Sequence, residues 1–323
     1  MEYTHLGRSG LSVSRLCLGT MNFGWQSDEP TAHTIMDAAL DAGLNFFDTA
    51  NVYGFKKGEG LTENIIGRWF AQGGGRREKA VIATKLYGSM SDWPNDTFLS
   101  ARNIRHACEG SLRRLQTDHI DLYQMHHIDR STPFDEIWEA MQVLVQQGKI
   151  LYVGSSNFAG WTIAQAQEAA RHRHFLGLVS EQCLYNLLER HVEEEVIPAA
   201  LHYGVGIIPW SPLMRGVLGG ILAKARDTGR SASSQTQDIL DRHRDKVERY
   251  EAFCSQLGEH PSAVGLAWLL HQPGVTGPII GPRTADQLQS NLHALEVRLD
   301  GDALATLDGM FPGPGTAPEA WAW

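Results

Sequence analysis

Asp48 and Tyr53 stand five residues apart where an apolar run, "LNFFD" (44–48), turns polar. Lys85 closes a second apolar run, "AVIATK" (80–85), and His126 closes a third, "IDLYQMH" (120–126). Singly, each has an ordinary explanation: a loop-capping carboxylate, a packed aromatic, a solvated lysine, a satisfied histidine. Together, at the ends of successive apolar runs, they compose a proton-transfer site. Tyrosine titrates at about 10 and is a poor acid–base group at neutral pH. An ammonium beside it stabilises the phenolate and lowers that value. Lys85 can supply the ammonium, and Asp48 can hold it by a charge-assisted hydrogen bond. Tyr53 can then donate a proton to a carbonyl oxygen as negative charge develops there, with His126 hydrogen-bonded to the same oxygen. That chemistry is carbonyl reduction, and it needs a hydride source.

The later apolar runs end in residues suited to such a source. Ser156 and Asn157 follow "ILYVGSS" (150–156), Gln182 ends "LGLVSEQ" (176–182), and Trp210 and Ser211 lie in "VGIIPWSP" (205–212). The amides of Asn157 and Gln182 can bind a carboxamide, and Trp210 offers a flat face to a nicotinamide ring. Arg215, in "SPLMRG" (211–216), and Arg283, beyond Gly281 in "GPRTADQLQSN" (281–291), can bind phosphate. The helix after Arg283 adds N-terminal amides. Arg283 beside Thr284 suggests a 2′-phosphate, hence NADPH rather than NADH. No G-x-G-x-x-G occurs, so a dinucleotide site would not be of the Rossmann type.

What must position these residues is a repeated strand–helix unit. Strands are expected at 15–20, 44–49, 80–85, 120–126, 150–156, 176–182, 205–212 and 275–282. They are apolar runs rather than strict alternations, as in a parallel sheet buried on both faces. Helices are expected at 29–43, with Pro30 at its start and Gly43 as its stop, and at 61–75, capped by Thr62. Others are expected at 99–116, 133–148, 161–173, 191–204, 285–295 and 301–310. Eight such units in 323 residues favour a closed (β/α)8 TIM barrel, which needs about 250, over an open doubly wound sheet. In such barrels the active site lies at the C-terminal strand ends, where the residues above fall. The expected organisation is one barrel domain over 1–323. An N-terminal hairpin (1–14) turns at Ser9-Gly10, a long polar loop (213–246) separates the seventh and eighth strands, and a Pro/Gly-rich tail spans 311–323.

Bulk composition removes other classes. The chain is 42% hydrophobic and 20% charged, with net charge −9, which argues against a nucleic-acid binder. No apolar run approaches the roughly 18 residues of a membrane helix, and the N-terminus has no signal core. Four scattered cysteines without a CxxC read as reduced structural thiols in a cytoplasmic protein. Neither HExxH nor clustered carboxylates suggest a metal.

The segments "NFFDTANVYG", "ATK", "DLYQMHHID", "VGSSNF", "SEQCLYN", "PWSPL" and "GPRTADQLQSN", in this order, resemble the aldo-keto reductases over nearly the whole chain. The resemblance implies that Asp48, Tyr53, Lys85 and His126 match the family's catalytic tetrad, with Tyr53 the proton donor. It implies that Ser156, Asn157 and Gln182 contact the nicotinamide amide and that Trp210 stacks on the ring. Ser211, Leu213, Arg215 and Gly216 match its pyrophosphate loop. Gly281, Arg283, Gln287 and Asn291 match the segment that binds the adenosine 2′-phosphate and adenine. It also implies that NADPH binds first, followed by an aldehyde or ketone.

Three positions depart from common members: His127 replaces a frequent Arg or Trp, Pro282 removes an amide donor, and Trp210 stands where Tyr is common. Trp210 is shared with a subgroup resembling potassium-channel β-subunits, so the alternative function is a cofactor-sensing regulatory subunit with weak catalysis. The substrate candidates are Trp25, Tyr87, Trp93, His127 and Met214, with residues 217–245, Trp321 and Trp323 as possible covers. An aromatic mouth suits an apolar or aromatic aldehyde.

Overall fold

A computed structural model of the chain describes residues 1–54, 56–223 and 233–322. Its strands are β1 (Tyr3–His5), β2 (Ser12–Ser14), β3 (Cys17–Gly19), β4 (Phe46–Asp48), β5 (Val81–Leu86), β6 (Ile120–Met125), β7 (Ile150–Ser156), β8 (Leu178–Leu184), β9 (Gly206–Trp210) and β10 (Ile279–Ile280). The helices are α1 (Glu29–Asp41), α2 (Leu61–Phe70), α3 (Arg76–Lys79), α4 (Ala101–Leu115), α5 (Phe134–Gln146) and α6 (Gly160–His172). They continue with α7 (Val196–Tyr203), α8 (Ser234–Leu257), α9 (Pro261–His271), α10 (Ala285–Leu292), α11 (Gly301–Met310) and α12 (Glu319–Ala322).

Strands β3 to β10 form one parallel sheet in the order β10-β3-β4-β5-β6-β7-β8-β9. The ring closes where Ile207 on β9 pairs with Val275 just before β10. The Ile207 N–H donates to Gly274 O (2.9 Å), and the Thr276 N–H donates to Ile207 O (2.8 Å). This is the expected (β/α)8 barrel. Burial explains why its strands lack alternation: every residue of β3, β4, β5 and β6 is buried. One side chain faces the barrel interior and the next faces the surrounding helices.

The interior is plugged from the N-terminal end. Strands β1 and β2 pair antiparallel as the expected hairpin. Leu6 and Val13 from it join Cys17, Phe46, Leu122 and Ile208 in a buried cluster. Gly7 permits the close approach: at φ +55°, a Cβ there would lie 2.4 Å from Val179 O. With this end closed, the interior faces the C-terminal ends of the strands.

Three expectations need correction. The segment 213–246 is not one loop, because Ser234–Leu257 is a 24-residue helix. Ser233 caps it by accepting from the Thr236 N–H, and it buries only a stripe including Ile239, Leu240, Val247, Tyr250 and Cys254. Its other faces are charged, which made it read as loop. Residues 224–232, within the expected loop and cover, and Trp323 lie outside the described residues. Thr62 is not a cap: α2 begins from Gly60 in the left-handed region (φ +58°). The buried Thr62 hydroxyl instead pairs with Thr49 Oγ1 at 3.0 Å, tying α2 to the end of β4. The eighth barrel strand is shorter than 275–282, because Pro278 and Pro282 flank Ile279–Ile280 and neither can donate to a ladder.

Because the hairpin's apolar residues complete the barrel interior, Leu6→Ala should lower unfolding free energy by about 2–5 kcal/mol. Urea denaturation against the parent measures this. A loss near zero would mean the hairpin is an ornament rather than a plug.

Candidate active site

The residues singled out in the sequence meet at the open mouth of the barrel. Asp48 ends β4, Lys85 lies near the end of β5, His126 follows β6, Ser156 ends β7, Gln182 lies on β8 and Trp210 ends β9. At the centre is a buried ion pair. Lys85 Nζ donates to Asp48 Oδ2 (2.6 Å), to Thr49 O (2.8 Å) and to Tyr53 Oη (3.3 Å). An ammonium has three hydrogens, so each has an acceptor and its direction is set. It also lies 5.0 Å from the Tyr53 ring centroid. Asp48 Oδ1 accepts from Gln182 Nε2 (2.8 Å) and Gln124 Nε2 (3.1 Å).

Lys85 is fully buried, yet its pKa is raised. Burial pulls it down, and the charges of Asp48 and Tyr53 with their hydrogen bonds outweigh that pull. His126 moves the other way. Burial first, then the charges of Lys85 and His127, push its pKa down to about 3. It is therefore a neutral imidazole at neutral pH, able to donate one hydrogen bond. Its ring packs edge-on to Tyr53 with centroids 6.0 Å apart.

Asn157 links this cluster to the next wall. It sits in the left-handed region (φ +60°). Its Nδ2 donates to His126 O (3.2 Å) and Ser156 Oγ (2.9 Å), and its Oδ1 accepts from Trp210 Nε1 (3.1 Å). The tilt of the indole is therefore set by Asn157. Beyond it, Ser211, Met214, Arg215 and Gly216 all have positive φ. Ser211 Oγ accepts from the Arg215 N–H (3.1 Å), and the Asn186 amide holds Ser211 O (3.1 Å). The amides of Met214, Gly216 and Leu218 bond to Ser211 O, Leu213 O and Leu213 O. What this loop presents outward is the exposed Arg215 side chain.

The last wall is a seam between the loops after β10 and β3. Asn22 Nδ2 donates to Gly281 O and Ser27 Oγ to Arg283 O, each 2.9 Å. The Arg283 N–H donates to Gln287 Oε1 (2.8 Å), and Thr284 caps α10, the helix that also carries Asn291. Among the described residues, Asn22 Oδ1, beside Gly281, is buried without a partner. These residues fit a nicotinamide dinucleotide: a flat indole braced by an amide beside the ion pair, then Arg215 on one loop and Arg283 on another.

Tyr87 and His127 join an aromatic row at the rim. His126 stacks on His127 (6.2 Å), His127 meets Tyr87 (5.5 Å), and Tyr87 meets Phe98 edge-on (5.2 Å). Trp25 lies in the loop tied to Arg283 and is 54% exposed, and Trp93 is 73% exposed. Met214 packs on the apolar cluster beneath its loop. The tail is anchored by the Ala317 N–H bonding to Glu194 O, with Trp321 72% exposed. Sequence reasoning missed Gln124 and Phe98. Gln124 had a signal, a polar residue inside a fully buried strand. Phe98 had none.

The fold and site define a TIM barrel whose chemistry-bearing side chains gather at the C-terminal mouth. Comparison with known proteins agrees. A model of the Aldo/keto reductase family matches residues 15–311. The chain is 57% identical to an uncharacterized oxidoreductase, YrpG, of Bacillus subtilis (strain 168), over the full length of both. It is 36% identical to a probable voltage-gated potassium channel subunit beta of Oryza sativa subsp. japonica, over 92% of each. It is 32% identical to versiconal hemiacetal acetate reductase of Aspergillus parasiticus, over 95% of this chain and 96% of the other. The chain belongs to the aldo/keto reductase family, whose members generally reduce carbonyls with a nicotinamide nucleotide. Among the described residues, no helix is long and apolar enough to cross a membrane, and no cluster of three or more His, Cys, Asp or Glu is placed to hold a metal.

The His126 shift has a consequence for stability. An unfolded histidine takes up a proton near pH 6.5, whereas the native one resists until about 3. Stability from this group is therefore present above about pH 6.5 and is lost as pH falls towards 3. Between pH 7 and pH 4.5 the parent should lose about 2 kcal/mol more than His126→Gln. Urea midpoints at the two pH values test this, and equal losses in both proteins would contradict it.

Proposed function

We propose that the protein reduces aldehydes or ketones to alcohols with NADPH, and that Tyr53 is the general acid. The observation that carries this reading is the Lys85 ammonium, 3.3 Å from Tyr53 Oη and 2.6 Å from Asp48 Oδ2. Trp210 would hold the nicotinamide of NADPH, which would supply the hydride. The chain's residues do the rest. Tyr53 Oη–H passes its proton to the substrate oxygen, and Lys85 stabilises the phenolate left behind. Asp48 holds Lys85 in place and balances its charge. Neutral His126 donates a hydrogen bond to the substrate oxygen and so orients the carbonyl. Asn157 braces Trp210, and with Ser156 and Gln182 it borders the carboxamide. Arg215, in the loop Ser211–Leu213–Gly216, takes the pyrophosphate. Arg283 takes the 2′-phosphate, with Gly281, Gln287 and Asn291 around the adenosine. The row from His127 through Tyr87 to Phe98 favours a flat, apolar carbonyl compound.

A second reading is favoured by the relatives named as probable potassium channel β-subunits, 36% and 34% identical. On that reading the protein senses the nucleotide and turns over weakly. Consumption of many equivalents of NADPH per protein with an aromatic aldehyde supports the reductase. A single turnover without release supports the sensor.

Tyr53→Phe should keep NADPH affinity and lose turnover by about 10²- to 10⁴-fold, the scale of general acid catalysis. Turnover at the parent rate would remove Tyr53 from the role. Arg283→Ala should weaken NADPH binding by about ten- to a hundredfold, the worth of a charged hydrogen bond, and leave NADH binding little changed. Fluorescence titration with both nucleotides decides this, and equal losses would exclude a 2′-phosphate contact.

A further inference from the structure

One buried carboxyl beside the site has no part in the chemistry above. Glu181 is fully buried on β8, next to Gln182. Neighbours on a strand face opposite sides. Gln182 turns to Asp48, while Glu181 turns to the bend between β7 and α6. Its Oε1 accepts from the Phe158 N–H at 2.9 Å, and its Oε2 is hydrogen-bonded to the Ser155 hydroxyl. Ser155 Oγ is also 3.3 Å from Ser180 O.

That geometry suits a protonated acid. Ser155 has one hydroxyl hydrogen and faces two oxygens, Glu181 Oε2 and Ser180 O. If Glu181 carries a proton, it donates to Ser155, Ser155 donates to Ser180 O, and every group is satisfied without charge. Burial pushes the Glu181 carboxyl up to about 8, against the hydrogen bonds from Ser155 and from the Phe158 and Asn157 backbone.

Ser155 and Phe158 lie on either side of Asn157, which is held left-handed with its own N–H on Gln182 O (3.0 Å). We propose that Glu181 is a positioning residue: by clamping Ser155 and Phe158 it fixes Asn157, and through Asn157 it fixes the angle at which Trp210 meets the nucleotide. The inference rests on the reading that the nicotinamide lies against Trp210. It assigns Glu181 no contact with nucleotide or substrate. It also explains why a carboxyl sits in an apolar place where only a group that both accepts and donates will serve.

The test compares parent, Glu181→Gln, Glu181→Leu and Ser155→Ala at pH 7. NADPH affinity is measured by fluorescence titration without aldehyde, and kcat and KM for NADPH are measured with excess aromatic aldehyde. Glutamine copies the neutral acid, accepting from Phe158 and donating to Ser155, so Glu181→Gln should match the parent. Glu181→Leu leaves the Phe158 N–H without a partner. Its NADPH Kd and KM should rise together by about ten- to a hundredfold, with kcat changed far less. Ser155→Ala, which adds no bulk, should weaken NADPH binding by several-fold and keeps the test open if the leucine variant does not fold. Unchanged NADPH affinity in Ser155→Ala or in folded Glu181→Leu would overturn the proposal, as would a Glu181→Gln no better than Glu181→Leu. A parent that does not bind NADPH would overturn the functional reading and this inference together, before any variant is compared.

Discussion

The contact between Lys85 and Asp48 is the constraint around which the barrel mouth is arranged. Removing an ammonium and a carboxylate from water costs on the order of several kcal/mol per ion, and their attraction offsets it only with good geometry and no loose hydrogen-bonding groups. Both conditions hold. The three hydrogens of Lys85 go to Asp48, Thr49 and Tyr53, and Asp48 receives Lys85, Gln124 and Gln182. Those partners come from β4, the loop after it, β5, β6 and β8, so the pair fixes how these strand ends meet. The register agrees, with Asp48 opposite Ala83, Lys85 opposite Gln124 and Ser156 opposite Gln182.

The surroundings keep that pair the dominant charge of the mouth. His126 is held neutral by burial and by the charges of Lys85 and His127, and burial pushes Glu181 towards its neutral form. Were His126 charged, it would compete with Lys85 for negative charge developing on the substrate and on Tyr53. On the proposed reading, neutral His126 donates a hydrogen bond to the substrate oxygen, and its low pKa makes it too weak a base to take the proton of Tyr53. A low dielectric therefore does two things here. It makes the ammonium effective at 3.3 Å from the phenol oxygen, and it holds His126 and Glu181 towards their neutral forms.

How much of this was legible in the sequence follows from what each residue type signals alone. Buried parallel strands show as Val, Ile, Leu and Phe runs, and the residue after each run lies at the mouth, so Asp48, Lys85, His126 and Gln182 were readable together. The hairpin was readable from Ser9-Gly10 between short strands. Helix Ser234–Leu257 was not, because it buries one narrow stripe and its charged faces dominate the composition. Thr62 has the chemistry of a cap, but Gly60 starts the helix and burial gives the hydroxyl to Thr49. Gln124, Glu181 and Phe98 act through partners 76, 26 and 11 residues away. Only Gln124, a polar residue in a buried strand, carries a local signal, and the partner of each is fixed by the fold rather than by sequence spacing.

Backbone strain marks the same end of the molecule. Among the described residues, the non-glycine positions with positive φ include Gln116 and His174, which end helices at the opposite face. The others are Tyr87, Asn95 and Phe98 after β5, Asn157 after β7, and Ser211, Met214 and Arg215 after β9. Each costs about 1–3 kcal/mol unless its surroundings hold it, and the holding groups are present. Tyr87 O accepts from the Phe98 N–H (2.8 Å) and Thr97 Oγ1 (3.0 Å), Phe98 O from Asn103 (2.7 Å), and Ser211 O from Asn186 (3.1 Å). Glycine would relieve the strain at every one of these positions, but it would delete the aromatic rim, the amide that braces Trp210 and the rim guanidinium. Several side chains that border the proposed site, Tyr87, Asn157 and Arg215 among them, are those the backbone holds least comfortably. The rigid barrel below, closed by its hairpin, supplies the stability that offsets them.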